Sequence, residues 1–379
     1  MLSPTPFSLC CTLLLCLPLA FFFSTTTTSD PINNTPNENT HNESPTIPSR
    51  SAQNTTKNPS LTLSALHHYD GDNDDDLLFR LAARTNPNPK TPKKIAFMFL
   101  TTTPLPFHPL WHLFFYPNQT HKNIPQNLFN IYIHADPTHP YEPPFTGLFA
   151  ARTIPSRSTR RSDPSLIAAA RRLLAHALLH DPSNAMFALL SPSCIPLRSF
   201  SFVYRTLTTC STKSFIEILR DEPGLHARYS ARGEDVMLPE VPFENFRVGS
   251  QFFVLTRRHA RLVVKDRRLW AKFKLPCARV DTCYPEEHYF PTLLSMADAR
   301  ACVPATLTHV DWTGSVGGHP RMYEDEEVGP ELIRELQNAR PRYGVWNGSV
   351  EYPFLFARKF APESLEPLMK MASDVIFRD

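Results

Sequence analysis

Two short stretches of this chain concentrate side chains that could do chemistry. Tyr284-Pro-Glu-Glu-His-Tyr-Phe-Pro291 places two adjacent carboxylates at the edge of an apolar segment. A carboxylate in such a place can move a proton. It also suits the positive end of a helix as simple first-turn charge. Pro291 would cost about 3 kcal/mol in a helix interior, so a helix here is expected to kink or to begin late. Phe354-Leu-Phe-Ala-Arg-Lys-Phe360 sets two cations inside an apolar stretch. They read either as a snorkelling surface pair or as a clamp that neutralises a diphosphate. Other signatures are absent: no Gly-rich phosphate loop, no Gly-x-Ser-x-Gly, no His-Glu-x-x-His. No Asp-x-Asp follows a strand of the folded part, so no metal site is expected. The acidic run Asp70 to Asp76 reads as a solvated linker. Glu324-Asp-Glu-Glu327 reads as the solvated first turn of a polar helix.

Those groups need a frame. Ile95 to Leu100 is a continuous apolar run of strand length, ended by Thr-Thr-Thr-Pro-Leu-Pro106. Asn130 to His134 is a second strand, stopped by Asp136-Pro137. Asp163 as N-cap and Pro164 at the first helical position start a helix whose apolar positions keep the helical period to His180. Ala185–Leu190, Phe215–Leu219 and Phe252–Leu255 are further strands, and Thr256 can cap a helix over Arg257–Lys265. Strands alternating with helices imply an α/β fold with parallel pairing.

Ahead of this frame, Phe7 to Phe23 is an almost wholly apolar run without a charged side chain. It is long enough for a signal-anchor helix, with residues 1–6 as a short cytosolic tail. A cleaved signal peptide would want a basic start and a small-x-small site, neither of which is clear. Residues 24–93 read as a disordered luminal stem, rich in Thr, Asn, Ser and Pro. Sequons at Asn33, Asn42, Asn54, Asn118 and Asn347 point to glycosylation in a lumen. Residues 94–379 are then the folded domain. Its composition suits a core: of 379 residues, 42% are hydrophobic and 20% charged, while 38 Pro against 11 Gly implies a loop-rich fold. A net charge of +3 is too balanced to argue for nucleic acid. Cys194, Cys210, Cys277, Cys283 and Cys302 would face an oxidising lumen, allowing at most two disulfides.

Seven stretches now fall in one order. They are Ile95–Leu100 with its Thr-Pro-Leu-Pro loop, Tyr132-Ile-His-Ala-Asp-Pro137, Ala188-Leu-Leu-Ser-Pro-Ser-Cys-Ile-Pro-Leu197, Gly249-Ser-Gln-Phe-Phe253, Glu286-Glu-His-Tyr-Phe-Pro-Thr-Leu293, His309-Val-Asp-Trp312 and Leu355-Phe-Ala-Arg-Lys-Phe360. Together they closely resemble the plant core-2/I-branching β-1,6-N-acetylglucosaminyltransferase-like proteins, allied to glycosyltransferase family 14. The resemblance runs from about Lys94 to Met371. It implies a type II Golgi membrane enzyme with a GT-A-like fold, inverting and independent of metal. Glu287 falls where such proteins keep the catalytic base. Asp136 falls at the nucleoside and Lys359 at the diphosphate. Thr102 and Arg358 join that nucleotide-sugar side. Trp312 and Glu286 fall toward the acceptor sugar. The Arg that assists Lys359 is open among Arg334, Arg340, Arg342 and Arg358. The chain departs from the resemblance in Ile167-Ala-Ala-Ala-Arg-Arg-Leu173, which lacks an acidic pair. It departs again in Phe246-Arg-Val-Gly249, where Phe and Val replace Trp and Lys.

The expectation is an enzyme that moves a sugar, N-acetylglucosamine or another, from a UDP donor to a glycan or glycoprotein. Its rivals are an inert Golgi scaffold or lectin on the same fold, and a hydrolase using Glu286 and Glu287.

Overall fold

The computed structural model describes residues 72–117, 127–315, 317–345, 348 and 350–378. The expected tail, anchor and five sequon asparagines lie outside them, as does the stem up to residue 71. Among the described residues no helix is long and apolar enough to cross a membrane.

The strands are β1 (Lys94–Thr101), β2 (Phe129–Ala135), β3 (Asn184–Leu190), β4 (Ile195–Pro196), β5 (Ser214–Phe215), β6 (Val254–Thr256), β7 (Cys302–Val303), β8 (Thr308–Val310) and β9 (Phe356–Arg358). The helices are α1 (Asp72–Ala83), α2 (His108–Phe115), α3 (Ser165–His180), α4 (Phe200–Thr208), α5 (Leu225–Tyr229), α6 (Arg257–Lys265), α7 (Arg268–Phe273), α8 (Val280–Cys283), α9 (Tyr289–Asp298), α10 (Pro330–Asn338) and α11 (Leu365–Met371). Six strands form one sheet in the order β2-β1-β3-β6-β5-β7, and three form a small sheet, β4-β9-β8. β1 pairs parallel with β2 and β3, and β5 with β7, while β6 runs antiparallel to both its neighbours. The sheet is therefore mixed and largely parallel, with helices on both faces.

The period-2 geometry of β1 shows why its run is apolar throughout. Ile95, Phe97 and Phe99 join one buried cluster, with Trp111, Phe114 and Phe115 of α2 and Phe356 of β9. Ala96, Met98 and Leu100 join the other, with α3, α6 and α9. Edge-on aromatic packing fills the first cluster, as between Phe97 and Phe115 at 5.1 Å and Phe99 and Trp111 at 5.3 Å. Two expected strands are shorter than their apolar runs. Phe215–Leu219 pairs in the sheet only at Ser214–Phe215, and Leu219 instead bridges Val248. Pro291 is the third residue of α9, inside its first turn, where a missing N–H costs little.

Asp72–Ala83 corrects the reading of 24–93 as stem. This segment is a helix whose Leu78, Phe79 and Ala82 are buried against α3 and α6. Nor is Asp75 a solvated linker residue. Its carboxylate accepts from Arg172 at 2.7 Å and lies 3.7 Å from Arg157. The folded domain therefore reaches back at least to Asp72. A chain starting at Lys94 should melt well below one starting at Asp72. Losing three buried apolar side chains forfeits several kcal/mol at roughly 1.5–3 kcal/mol for each large one. Equal melting temperatures in calorimetry would make α1 dispensable.

Candidate active site

The adjacent carboxylates are separated by a turn. Cys277 and Cys283 form a disulfide, and the N–H groups of Ala278 and Arg279 both donate to Ala231 O at 2.9 Å. The chain then passes through Tyr284 in the left-handed region, φ 39°, into a 3-10 turn over Pro285–Glu287. For a tyrosine that backbone is strained, a condition that gathers at functional sites. Glu286 turns inward and is 5% exposed, and its Oε2 has no hydrogen-bond partner among the described residues. Burial, with the neighbouring Glu287 charge, pushes its carboxyl up to about 7, against the pull of the Ser162 N–H and Arg161. Glu287 turns outward and accepts from Arg228 Nη1 at 2.8 Å. Glu286, expected toward an acceptor, thus has its side chain inside the protein.

A third carboxylate completes this side. Glu217 lies just past β5, and desolvation raises it to about 7, helped by the charges of Glu222 and Glu287 and opposed by Arg342 and the Ser250 N–H. Gly249 sets the approach. Its N–H donates to Glu287 O at 2.9 Å, and a Cβ on it would stand 2.0 Å from Glu217 O.

The cationic side is built from distant segments. Lys359 Nζ lies 3.3 Å from His319 Nδ1, and Arg161 binds the other ring nitrogen of His319. Arg161 also donates to Gly318 O at 2.8 Å. Burial and the charges of Arg161, Lys359 and Arg358 depress the His319 pKa. A neutral imidazole has one acceptor nitrogen, so His319 can serve only one of the two cations. Burial, then Arg358 and Arg161, lowers the Lys359 pKa. Arg358 lies over the Phe252 ring at 4.4 Å with a buried Nε that makes no hydrogen bond among the described residues. The Tyr284 ring meets both groups, with Arg228 at 5.0 Å and Arg161 at 5.8 Å from its centre.

Asp136 is fully buried. Its oxygens accept from the N–H and hydroxyl of Thr138, at 2.8 and 2.6 Å, and of Thr159, at 2.6 and 2.9 Å. Burial alone would raise this acid; the four bonds hold it well below the usual carboxylate range. Its side chain ties the end of β2 to the loop that carries Arg161. Thr102 is half-buried at the end of β1, beside Asp136 across the parallel pair. Trp312 is 54% exposed on the loop after β8, the loop that also carries Gly318 and His319.

The expected residues therefore gather in part. Arg358 feels the Glu287 charge, Lys359 follows it in the chain, and the Trp312 loop meets Lys359 and Arg161 through His319. Of the open arginines, Arg334 pairs with Glu331 and Arg340 lies near Glu351, both in exposed positions. Arg342 pairs with Glu222, on the carboxylate side. Arg161, His319, Glu217 and Arg228 had no signal in the sequence beyond their types. The two departures lie in the packing: Arg171 and Arg172 are buried, and Phe246 stacks on His288 at 4.5 Å. Among the described residues no group of three His, Cys, Asp or Glu could hold a metal ion. Ser214, His259 and Asp298 line up as a hydrolase triad would, at 2.7 and 3.1 Å. Ser214 and His259 are fully buried, however, and the Ser214 oxygen also accepts from the Thr256 N–H at 2.8 Å, so no substrate reaches it.

Carboxylates and cations gathered about one ring, on a mixed sheet, suit group transfer from a charged leaving group. Residues 95–337 match the family model described as core-2/I-branching enzyme, so the chain belongs to that family and is a glycosyltransferase. It is 31% identical over 314 residues to the protein of Oryza sativa subsp. japonica named glycosyltransferase BC10, covering 72% of this chain and 75% of that one. It is also 30% identical over 125 residues to the Homo sapiens protein named probable β-1,3-galactosyl-O-glycosyl-glycoprotein β-1,6-N-acetylglucosaminyltransferase 7, covering 32% of this chain and 27% of that one.

Glu286 makes stability pH-dependent. Its folded pKa of about 7 exceeds the ordinary 4.5, so the native state holds more protons between those values and stability falls as pH rises through them. At 1.36 kcal/mol per unit the loss reaches about 3 kcal/mol. Glu286→Gln should remove much of it, melting above the parent at pH 8 and level with it near pH 4.5. Parallel melting curves across that range would refute the burial of this carboxyl.

Proposed function

We propose that this glycosyltransferase moves a sugar, with N-acetylglucosamine the leading candidate, from a UDP donor to a hydroxyl of a glycan or glycoprotein, with inversion and without a metal ion. The carrying observation is that one ring, Tyr284, meets both Arg228, which holds Glu287, and Arg161, which shares the His319 neighbourhood with Lys359. Glu287 takes the proton of the acceptor hydroxyl. That oxygen forms a bond to the anomeric carbon as the bond to the diphosphate breaks. The departing oxygens meet Lys359 and Arg161. A pair of fixed cations can do the charge neutralisation that a divalent ion does elsewhere.

The nucleoside would lie outside the C-terminal ends of β1 and β2, where Thr102 and the Asp136-held loop stand, as in a GT-A-like fold. The acceptor would rest on Trp312, with Glu217 and Arg228 as its polar contacts in place of Glu286. A hydrolase using Glu286 and Glu287 fits poorly, because its two carboxyls must flank one bond about 5–9.5 Å apart, and Glu286 is buried. The apolar run at 7–23 supports a type II anchor, with the domain in the Golgi lumen.

Glu287→Gln should lower turnover by about 10²–10⁴-fold with donor affinity nearly unchanged. Lys359→Ala and Arg161→Ala should weaken UDP binding as well, and turnover of the parent should survive EDTA. Single-turnover rates and UDP titrations read both. Full activity of Glu287→Gln sinks the base assignment; loss of activity in EDTA, restored by Mn²⁺, sinks the metal-free mechanism.

A further inference from the structure

Away from the sugar site, α1, α3, α6 and α7 surround a cavity of about 1080 Å³. Nine of its lining residues are Arg or Lys and two are Asp. The two acids are already engaged, Asp75 with Arg172 and Arg157 and Asp76 with Arg267. Arg258 is paired with Asp298. Arg84, Arg261, Lys265 and Lys274 line the same cavity with no acidic partner among the described residues.

Arg171 supplies an independent observation. It is 1% exposed, yet its Nε and Nη1 make no hydrogen bond among the described residues. Only Nη2 is served, by Asp266 O at 2.7 Å and, more weakly, Val264 O at 3.5 Å. The guanidinium lies over Phe79 at 4.5 Å and Trp270 at 4.8 Å, and both rings line the cavity. Aromatic faces stabilise the charge but accept no N–H in its plane. A buried fork with two open donors costs free energy unless an acceptor arrives.

We propose that this cavity is a second binding site, separate from the sugar site, for a small, multiply charged phosphorylated anion. Its size matches that of small-molecule pockets. Planar guanidinium forks pair with phosphate oxygens in bidentate fashion, and surrounding lysines add point charge. The Phe79 and Trp270 rings give an organic part of the ligand a surface to rest on.

Inorganic tripolyphosphate is the probe, titrated calorimetrically into the full chain in detergent at low salt. Binding should persist with UDP saturating and in Lys359→Ala, and it should weaken as salt is raised. The triple variant Arg84→Gln, Lys265→Gln, Lys274→Gln should bind at least about tenfold more weakly while its melting temperature and UDP affinity stay unchanged. Arg171→Lys, which keeps the charge and removes the fork, should also lose affinity. The proposal falls if tripolyphosphate gives no heat, if UDP displaces it, or if the triple variant binds it equally well. Capture of the chain by phosphatidylserine vesicles without tripolyphosphate binding would assign the face to a membrane instead and overturn it.

Discussion

Glu287 stands beside Glu217 because Gly249 has no side chain. The bridge between Leu219 and Val248 brings two backbone segments together, and the turn carrying Glu287 closes over them through the Gly249 N–H. A Cβ at Gly249 would stand 2.0 Å from the Glu217 carbonyl oxygen, a distance no packed atom tolerates. That close approach concentrates negative charge, and much of the surrounding chemistry answers it. Arg228 pairs with Glu287 and Arg342 offsets Glu217. Glu286 and Glu217, each desolvated, gain proton affinity and so need not both be charged near neutrality. Two neutral acids and one ion pair can share a small volume where three bare carboxylates could not.

The cations obey a different constraint, which is reach. Arg161 and Lys359 come from loops far apart in sequence, and each needs a support. For Arg161 the support is Asp136. Its four hydrogen bonds fix Thr138 and Thr159, so the loop after β2 is held at the strand end. Arg161 then bonds to the Gly318 carbonyl and shares His319 with Lys359. Folding thus sets two positive charges in place before any substrate arrives. A preorganised pair of this kind needs no reorganisation when a leaving group develops charge.

What could be read from the sequence was set by how local each signal is. β1 to β3 and α3 were legible, because apolar runs and an Asp-Pro start depend on neighbours in the chain. α1 was not. Asp72 to Asp76 reads as a charged, solvated stretch, yet Asp75 is taken up by Arg172 from a helix about a hundred residues away. Glu286 and Glu287 were singled out by their stretch, whereas Arg161, His319 and Glu217 were invisible, since only tertiary folding brings them there. Asp136 was singled out by the family resemblance, and what the sequence did not show is that its buried carboxylate anchors a loop through Thr138 and Thr159. The inward turn of Glu286 was equally hidden: adjacency in sequence says nothing about which of two carboxylates a turn sends inward.

That last point bears on how one motif separates two like groups. Glu286 and Glu287 are the same functional group, and Tyr284 in its left-handed backbone decides between them. It starts a turn that puts Glu286 among apolar atoms and Glu287 within 2.8 Å of Arg228. A buried, proton-retaining carboxyl can donate a hydrogen bond but is a poor place to put an incoming proton. An outward carboxylate, held by one arginine and open on its other side, is available to an acceptor hydroxyl. Environments that push like groups apart are what assign acid and base roles on a protein surface. Here the separation is made by a single turn, whose approach is pinned by the Cys277–Cys283 bridge and by the two N–H bonds to Ala231. Ala231 follows α5, which carries Arg228, so the segments that deliver the carboxylate and its arginine are tied to each other.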